Sequence, residues 1–368
     1  MKRLGLVLFY LVFGFAALLR RGRPTHLRGV AARGTLDLAA GEPALPLSLF
    51  RGDEPLTATI RHGNVAHDDD AALDIRGAAL CLQEPGGGER LDLPMNTGPV
   101  TFSSAWVFLR YALASGPLPW TEKPIRENGL RRFLRRERRA HAQFVPALRR
   151  APDSYAALEY HSKLVHRLLG DDEGWVRFRL TPWSGEDSGL PDAADRAKPW
   201  DQDRRVGEDR AHDYLREEHC RRVQDGGVRH RLEVQVAREP TPDARFLDPG
   251  RSWSSEAHPW RLVGTLHLDE PLTAEETETL SFNVGRLPTG LELLPCRHLG
   301  DPGSIGYVRS SVYSWTQRVR GALRRWQALY RRLRTARRRR RREGPPYRDS
   351  QGRRRSSLWR LVFGKSLF

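Results

Sequence analysis

The sequence predicts an α+β fold built on an antiparallel sheet or barrel. Short strand-like runs separated by turn residues fill the first third of the chain, and helical periodicity comes late. Of the 368 residues, 39% are apolar and 29% charged, too polar for a polytopic membrane protein and too apolar for a disordered chain. This length can bury a sizeable core and a cofactor, in one large β-rich domain or in two or three smaller ones. Three cysteines, Cys81, Cys220 and Cys296, exclude a disulfide scaffold, and no CxxC pair exists for a zinc ribbon.

The chain opens with Lys2 and Arg3, an apolar run from Leu4 to Leu19, then Arg20 and Arg21. As a helix the run spans about 24 Å, short of the roughly 30 Å hydrocarbon core. It fits an uncleaved membrane-associated segment, a signal-peptide core with a poor site at Ala16-Ala17, or a buried terminal helix. Residues 21–115 read as strands over Val30–Leu38, Thr57–Arg61, Ala78–Gln83 and Val100–Phe102, with Gly86, Gly87 and Gly88 as a turn. Residues 126–150 read as an Arg-rich helix with Leu130, Phe133 and Leu134 on one side. Residues 184–211, rich in Pro, Gly and Asp, read as a long loop. Asp213–Val223 reads as a helix, Leu232–Ala237 and Leu262–Leu268 as strands. Trp315, Val319, Leu323, Trp326, Leu329 and Leu333 recur at helical spacing. There is no internal repeat.

The formal net charge of +17 sits at one end. Residues 318–368 hold 19 Lys and Arg against Glu343 and Asp349, so residues 1–317 are formally neutral. Arg337 to Arg342 are six consecutive arginines. Such a block repels itself and rarely packs. It could bind phosphates, but no interleaved aromatics stack bases, which argues against nucleic acid.

General motif patterns are mostly absent: no GxGxxG after a strand, no phosphate-binding GxxxxGK[ST], no HExxH and no GxSxG. His67, Asp68, Asp69 and Asp70 suggest a metal, but a solvated turn is favoured. Cys296 lacks the surroundings of a haem thiolate and reads as a buried core cysteine.

One ordered set of segments stands apart: RPTHLRGVAARG at 23–34, Arg61, DIRG at 74–77, DLPMNT at 92–97 and RSSVY at 309–313. Weaker text at 232–235, 282–283 and 301–305 agrees with it. Together, over roughly residues 21–325, they resemble the catalase superfamily. The resemblance implies haem b on a catalase-like antiparallel β-barrel core surrounded by helices. It places His26 and Asn96 above the haem and Tyr313 below as iron ligand, with Arg309 one helical turn earlier. It assigns Arg23, Arg61 and Arg320 to the haem propionates.

The residue types suit that chemistry. A free tyrosine is neutral at pH 7, with a pKa of about 10; an arginine at i−4 lies on the same helix face and stabilises the phenolate. A distal histidine can move a proton from one peroxide oxygen to the other, and Asn96 can donate to the departing oxygen. Two haem carboxylates need cations, which arginine pairs bidentately.

The chain departs from full-length catalases. About 55 residues follow Tyr313. Pro94 and Met95 precede a single asparagine, Gly63 replaces a serine that would hydrogen-bond the distal histidine, and Thr25 replaces a valine. The threonine is similar to the short catalase-related branch, where allene oxide synthases carry one before the distal histidine. Its hydroxyl can hydrogen-bond the imidazole and compete with proton shuttling.

These observations set the expectations. Residues 1–20 are an apolar anchor or interfacial segment, 21–330 a catalase-like haem domain, and 331–368 an Arg-rich tail with a short apolar end. The chain is expected to be a haem b enzyme cleaving the O–O bond of hydroperoxides, with organic or fatty-acid hydroperoxides preferred. The alternative is a small catalase or peroxidase removing hydrogen peroxide. A third reading is a degenerate haem-binding protein tethered to membrane or nucleic acid by its basic tail. The expected partners are the hydroperoxide and an anionic membrane surface met through both termini, on the cytoplasmic side. Oligomerisation is open.

Overall fold

A computed structural model describes residues 2–19, 23, 25–26, 28–41, 44–52, 54–116, 125–170, 173–239 and 242–342. Contacts divide the chain into two units, Met1–Arg318 and Val319–Phe368.

The first unit is organised by eight antiparallel strands that close on themselves. In chain order they are β1 (Val30–Leu38), β2 (Leu56–Asn64), β3 (Asp74–Gln83), β4 (Arg90–Thr97), β6 (Tyr160–His161), β8 (Gly174–Pro182), β9 (Val228–Ala237) and β10 (Trp260–Pro271). Around the ring the order is β8-β6-β4-β3-β2-β1-β10-β9, and β9 returns to β8. Closure removes the unpaired strand edges that would otherwise template aggregation. Three short strands lie off the ring: β5 (Leu148–Arg149) on β3, and β7 (His166–Leu168) between β8 and β11 (Leu291–Leu293). Two glycines let β1 and β10 coil tightly. The register shifts at Arg33/Gly34 and again at Leu262/Gly264. A side chain on Gly34 would reach within 1.8 Å of the His267 carbonyl, and one on Gly264 within 2.4 Å of the Asp37 carbonyl. Glycine is what such bulges need.

Alternation along the strands divides the two faces of the sheet. Ile60, Ala78, Leu80, Leu93, Met95, Phe178, Leu232 and Leu266 belong to the main core. Truncating one of the large ones to alanine costs about 2–5 kcal/mol. Helix α6 (Tyr214–Gln224) joins this core through Leu215, His219 and Val223, spaced four apart on one face. His62, His219 and His230 are fully buried there; His62 stacks 5.0 Å from Tyr155 and lies edge-on 4.9 Å from His219.

A second cluster joins three helices, α1 (Lys2–Leu19), α2 (Ala105–Ser115) and the first turns of α8 (Ser304–Arg342). Phe9 and Phe13 of α1 stack on Phe108 of α2, and Tyr10 lies 5.5 Å from Trp315 of α8. Helices α3 (Glu127–Arg136) and α4 (Arg138–Phe144) form a third cluster with Phe102, Tyr111 and Leu148. Two short helices remain, α5 (Ala193–Ala197) and α7 (Ala274–Thr279). In the second unit, α8 runs on to Arg342, with Trp326 stacked on Tyr330.

Several expectations change. For the initial apolar run, the buried-helix reading gains support on one face, where Phe9 is fully buried. Among the described residues no helix is long and apolar enough to cross a membrane. Val100–Phe102 is not a strand; the pairing segment is β4 just before it. Residues 105–115 form α2, because Ser104 accepts from the Val107 N–H as an N-cap. The helix expected over 126–150 breaks at Glu137 and ends at Phe144, and Leu148–Arg149 pairs with β3. The loop at 184–211 contains α5. The acidic turn is tied down rather than solvated: Asp69 pairs with Arg204 at 2.7 Å, and fully buried Asp70 with Arg216 at 2.7 Å. Cys296 is only half-buried.

Burial pushes the pKa of His219 down to about 3 and of His230 down to about 4, and lowers that of His62. The folded state therefore holds these imidazoles neutral, while the unfolded chain takes up protons near 6.5. Stability is full above pH 6.5 and is lost as pH falls toward 4, by up to ~1.4 kcal/mol per histidine for each pH unit. Urea midpoints measured between pH 7.5 and 4.5 should fall steadily, and His219→Phe should flatten the slope. An equal slope in that variant would remove His219 from the account.

Candidate active site

The site is built on the face of β2, β3 and β4 opposite the main core. Gly63 pairs with Gly77, and Gly77 with Asn96; Arg61 pairs with Ala79, and Ala79 with Pro94. Alternation thus sends Arg61 and Asn96 to the face opposite Ile60 and Met95. Glycine and alanine fill the positions between them. The result is a shallow floor of small residues bordered by functional side chains.

His26 lies over this floor. A Cβ on Gly77 would stand 2.3 Å from His26 Cε1 and 3.2 Å from Asn96 Oδ1. Only glycine admits the ring, and the clash marks His26 and Asn96 as neighbours across one residue. The backbone of His26 adopts φ 53°, the left-handed region, and its N–H donates to the Val65 carbonyl at 3.0 Å. Its Nδ1 lies 3.3 Å from the Gly63 carbonyl. With Nδ1–H as donor, Nε2 is the nitrogen left to take a proton. The main chain at Gly63 thus provides a hydrogen-bond partner where the serine hydroxyl is missing. Burial, with the Arg61 guanidinium second, pulls the His26 pKa down to about 4. Thr25 sits half-buried beside it.

Arg61 and Arg23 converge on one carboxylate. Arg61 Nη2 lies 3.3 Å from Glu278 Oε1, and Arg23 Nε 3.9 Å from Glu278 Oε2. Arg61 also donates to the His26 carbonyl at 3.1 Å, and Arg23 to the Leu280 carbonyl at 2.8 Å. Burial lowers the Arg61 pKa from its usual value, and Glu278 opposes the shift. The buried Arg61 Nε has no hydrogen-bond partner among the described residues.

Tyr313 and Arg309 stand one turn apart on α8. Arg309 donates to the Tyr313 hydroxyl oxygen from Nε at 3.2 Å and from Nη2 at 3.1 Å, and Nη2 also reaches the Pro94 carbonyl at 3.1 Å. A phenol oxygen that accepts two N–H groups of a single guanidinium is held in a fixed position, as a ligand oxygen needs to be. Asn283 adds a second tie to the same helix: its side chain donates to the Ser310 carbonyl and to Ser314 Oγ, and its N–H donates to Asp92 of β4. Arg320 falls in the second unit, seven residues beyond Tyr313 on α8.

Some contributors were not foreseen from sequence. Glu278 sits at the end of α7, which the capping box of Thr273 and Glu276 could have revealed. Lys163 is buried at φ 60°, and its ammonium donates to the carbonyls of Thr97, Gly98 and Val100. Burial drives its pKa well below the usual value, with Arg149 and Arg309 adding to the effect. It holds the turn that follows Asn96. No sequence pattern marks it.

The donor set fits a haem. A floor cleared of side chains suits a planar group, two arginines already meet at a carboxylate, and a tyrosine oxygen accepts two N–H groups of the Arg309 guanidinium.

No family model matches the chain. It is 30% identical over 308 residues to the allene oxide synthase-lipoxygenase protein of Plexaura homomalla, an alignment covering 81% of this chain and 28% of that protein. It is 27% identical over 286 residues to the catalase-related peroxidase of Mycolicibacterium paratuberculosis, covering 73% of this chain and 82% of that one. Its fold matches a bacterial catalase at TM-score 0.66 with 19% identity, over 81% of this chain and 57% of the catalase. The chain thus spans little more than a quarter of the Plexaura protein. The catalase-type barrel and the relatives named for allene oxide synthase and catalase-related peroxidase agree with a haem as cofactor, and the chain belongs to the catalase-related superfamily.

Proposed function

We propose that the chain is a haem b enzyme that cleaves the O–O bond of hydroperoxides, with fatty-acid hydroperoxides as preferred substrates. The observation that carries this is the placement of His26 beside Asn96 over Gly77, with Arg309 reaching from Tyr313 to Pro94 on the same strand. When bound, the haem supplies the iron centre at which the peroxide bond is broken. Tyr313 would hold that iron, with its oxygen oriented by Arg309. Arg23 and Arg61 would take the carboxylates, displacing or sharing Glu278.

The chain's own residues handle the proton. With a pKa near 4, His26 is neutral at pH 7 and can accept a proton at Nε2. Returning it to the departing oxygen makes that oxygen leave as an alcohol or water. The Asn96 amide donates to the same oxygen. Thr25, the residue before His26, supports the preference for one lipid hydroperoxide over two successive hydrogen peroxides. The relative named for allene oxide synthase supports the same preference.

Two observations favour removal of hydrogen peroxide as a second reading. The catalase-related peroxidase is matched over most of its length. The Gly63 carbonyl also gives His26 the partner that the missing serine would have provided.

The deciding experiment follows diene loss from a fatty-acid hydroperoxide and oxygen release from hydrogen peroxide with one haem-loaded preparation. Fast diene loss with little oxygen is expected; vigorous oxygen release would favour the second reading, and no Soret band would end both. Thr25→Val should raise oxygen release several-fold, and an unchanged rate would leave the threonine without a role. Tyr313→Phe should lose most bound haem and shift the Soret band; a normal spectrum would remove Tyr313 as ligand. The rate should stay flat from pH 8 to 5 and fall near pH 4 as His26 protonates. An acid limb near 6.5 would contradict the buried imidazole.

A further inference from the structure

Helix α1 packs by one face only. Phe9 and Phe13 face the cluster with α2 and α8, whereas Val7, Leu8 and Leu11 on the other side are 48%, 38% and 64% exposed. Trp315, 38% exposed, lies beside this helix: its ring contacts Tyr10, and its indole nitrogen stands 2.9 Å from where a Cβ on Gly14 would be. Trp106 and Leu113 of α2 and Tyr307 of α8 are also exposed.

The charge these helix segments themselves carry has one sign, although Glu137 of α3 pairs with Arg110 of α2 at 2.6 Å. In the sequence Lys2 and Arg3 open the helix, and Arg20 and Arg21 follow it. Exposed Arg318 lies three residues past Trp315. No acidic residue occurs in α1, in α2, or in residues 304–318 of α8. An apolar stripe bordered by tryptophan and bracketed by cations is what an anionic bilayer surface accepts from a helix lying in its plane.

We propose that the outer face of α1, with Trp315 beside it, docks on an anionic lipid surface. Val7, Leu8 and Leu11 enter the boundary between headgroups and acyl chains while Phe9 and Phe13 keep the helix fastened to the protein. The helix lies on the membrane and does not cross it. This docking is independent of the haem chemistry, so its test does not depend on activity.

The full chain is sedimented with vesicles of phosphatidylcholine alone and of phosphatidylcholine mixed with phosphatidylglycerol. Binding to the mixed vesicles only is expected. The double variant V7D/L11D should bind at least about tenfold more weakly, with an unchanged melting curve, while Leu190→Asp, an exposed leucine elsewhere, should bind normally. Tryptophan quenching by brominated lipid should fall in Trp315→Phe, which checks the contact without a charge substitution. Unaltered binding by V7D/L11D would assign any affinity to the arginine-rich segment and overturn the proposal. Binding to neither vesicle would overturn it too. A dimer that V7D/L11D dissolves, with no vesicle binding, would give this face to a second copy of the chain.

Discussion

The pairing register of β2, β3 and β4 is the constraint on which the rest of the site rests. Side chains alternate across a sheet, so a slip of one residue in any of these strands exchanges its two faces. In the observed register Gly63, Gly77 and Asn96 share one row and Arg61, Ala79 and Pro94 the next. His62, one residue from Arg61, goes to the opposite side and is sealed among Tyr155, Tyr160 and His219. A slipped β2 would bury a guanidinium in the apolar core and push an imidazole into the site. Burying the guanidinium among apolar side chains alone carries a large desolvation cost, so the core itself enforces the geometry of the outer face.

The helix bearing Tyr313 is referred to the same register. Arg309 reaches the Pro94 carbonyl, and the route from Asp92 through Asn283 ends on Ser310 and Ser314. Both ties start on β4, the strand that carries Asn96. Lys163 fixes the turn leaving that strand by donating to three carbonyls. One short strand therefore coordinates the two halves of the site. This arrangement tolerates wide variation elsewhere, consistent with a catalase-like barrel at 19% identity.

Much of this was legible in the sequence, and unevenly. The first strand was read to its residue limits because Val30–Leu38 is bounded by glycine and an Ala-Ala-Gly turn. Strand β4 was missed because Pro94 and Asp92 look like turn residues, although the Pro94 carbonyl accepts from Arg309. The apolar start was ambiguous because a surface stripe and a packed stripe look alike when both faces of a helix are apolar, and only Phe9 and Phe13 against Phe108 settle which is which. His26, Asn96, Arg61, Arg309 and Tyr313 were readable as an ordered set. Glu278 and Lys163 were not, since a lone acid after a short helix and a lysine in a loop carry no pattern. Their roles come from long-range pairing, which no local window contains.

His26 holds a left-handed backbone that a branched or bulky residue would resist and that asparagine or glycine would adopt more readily. The conformation is held by two ties, from the His26 N–H to the Val65 carbonyl and from its ring to the Gly63 carbonyl. Selection for robustness alone would therefore erode the chain here first. A lineage that lost its substrate would be expected to keep the barrel, relax residue 26 to asparagine or glycine, and gain thermal tolerance as it fell silent. In such descendants the identity of one backbone-strained residue would separate working members from retired ones sooner than any comparison of the cores.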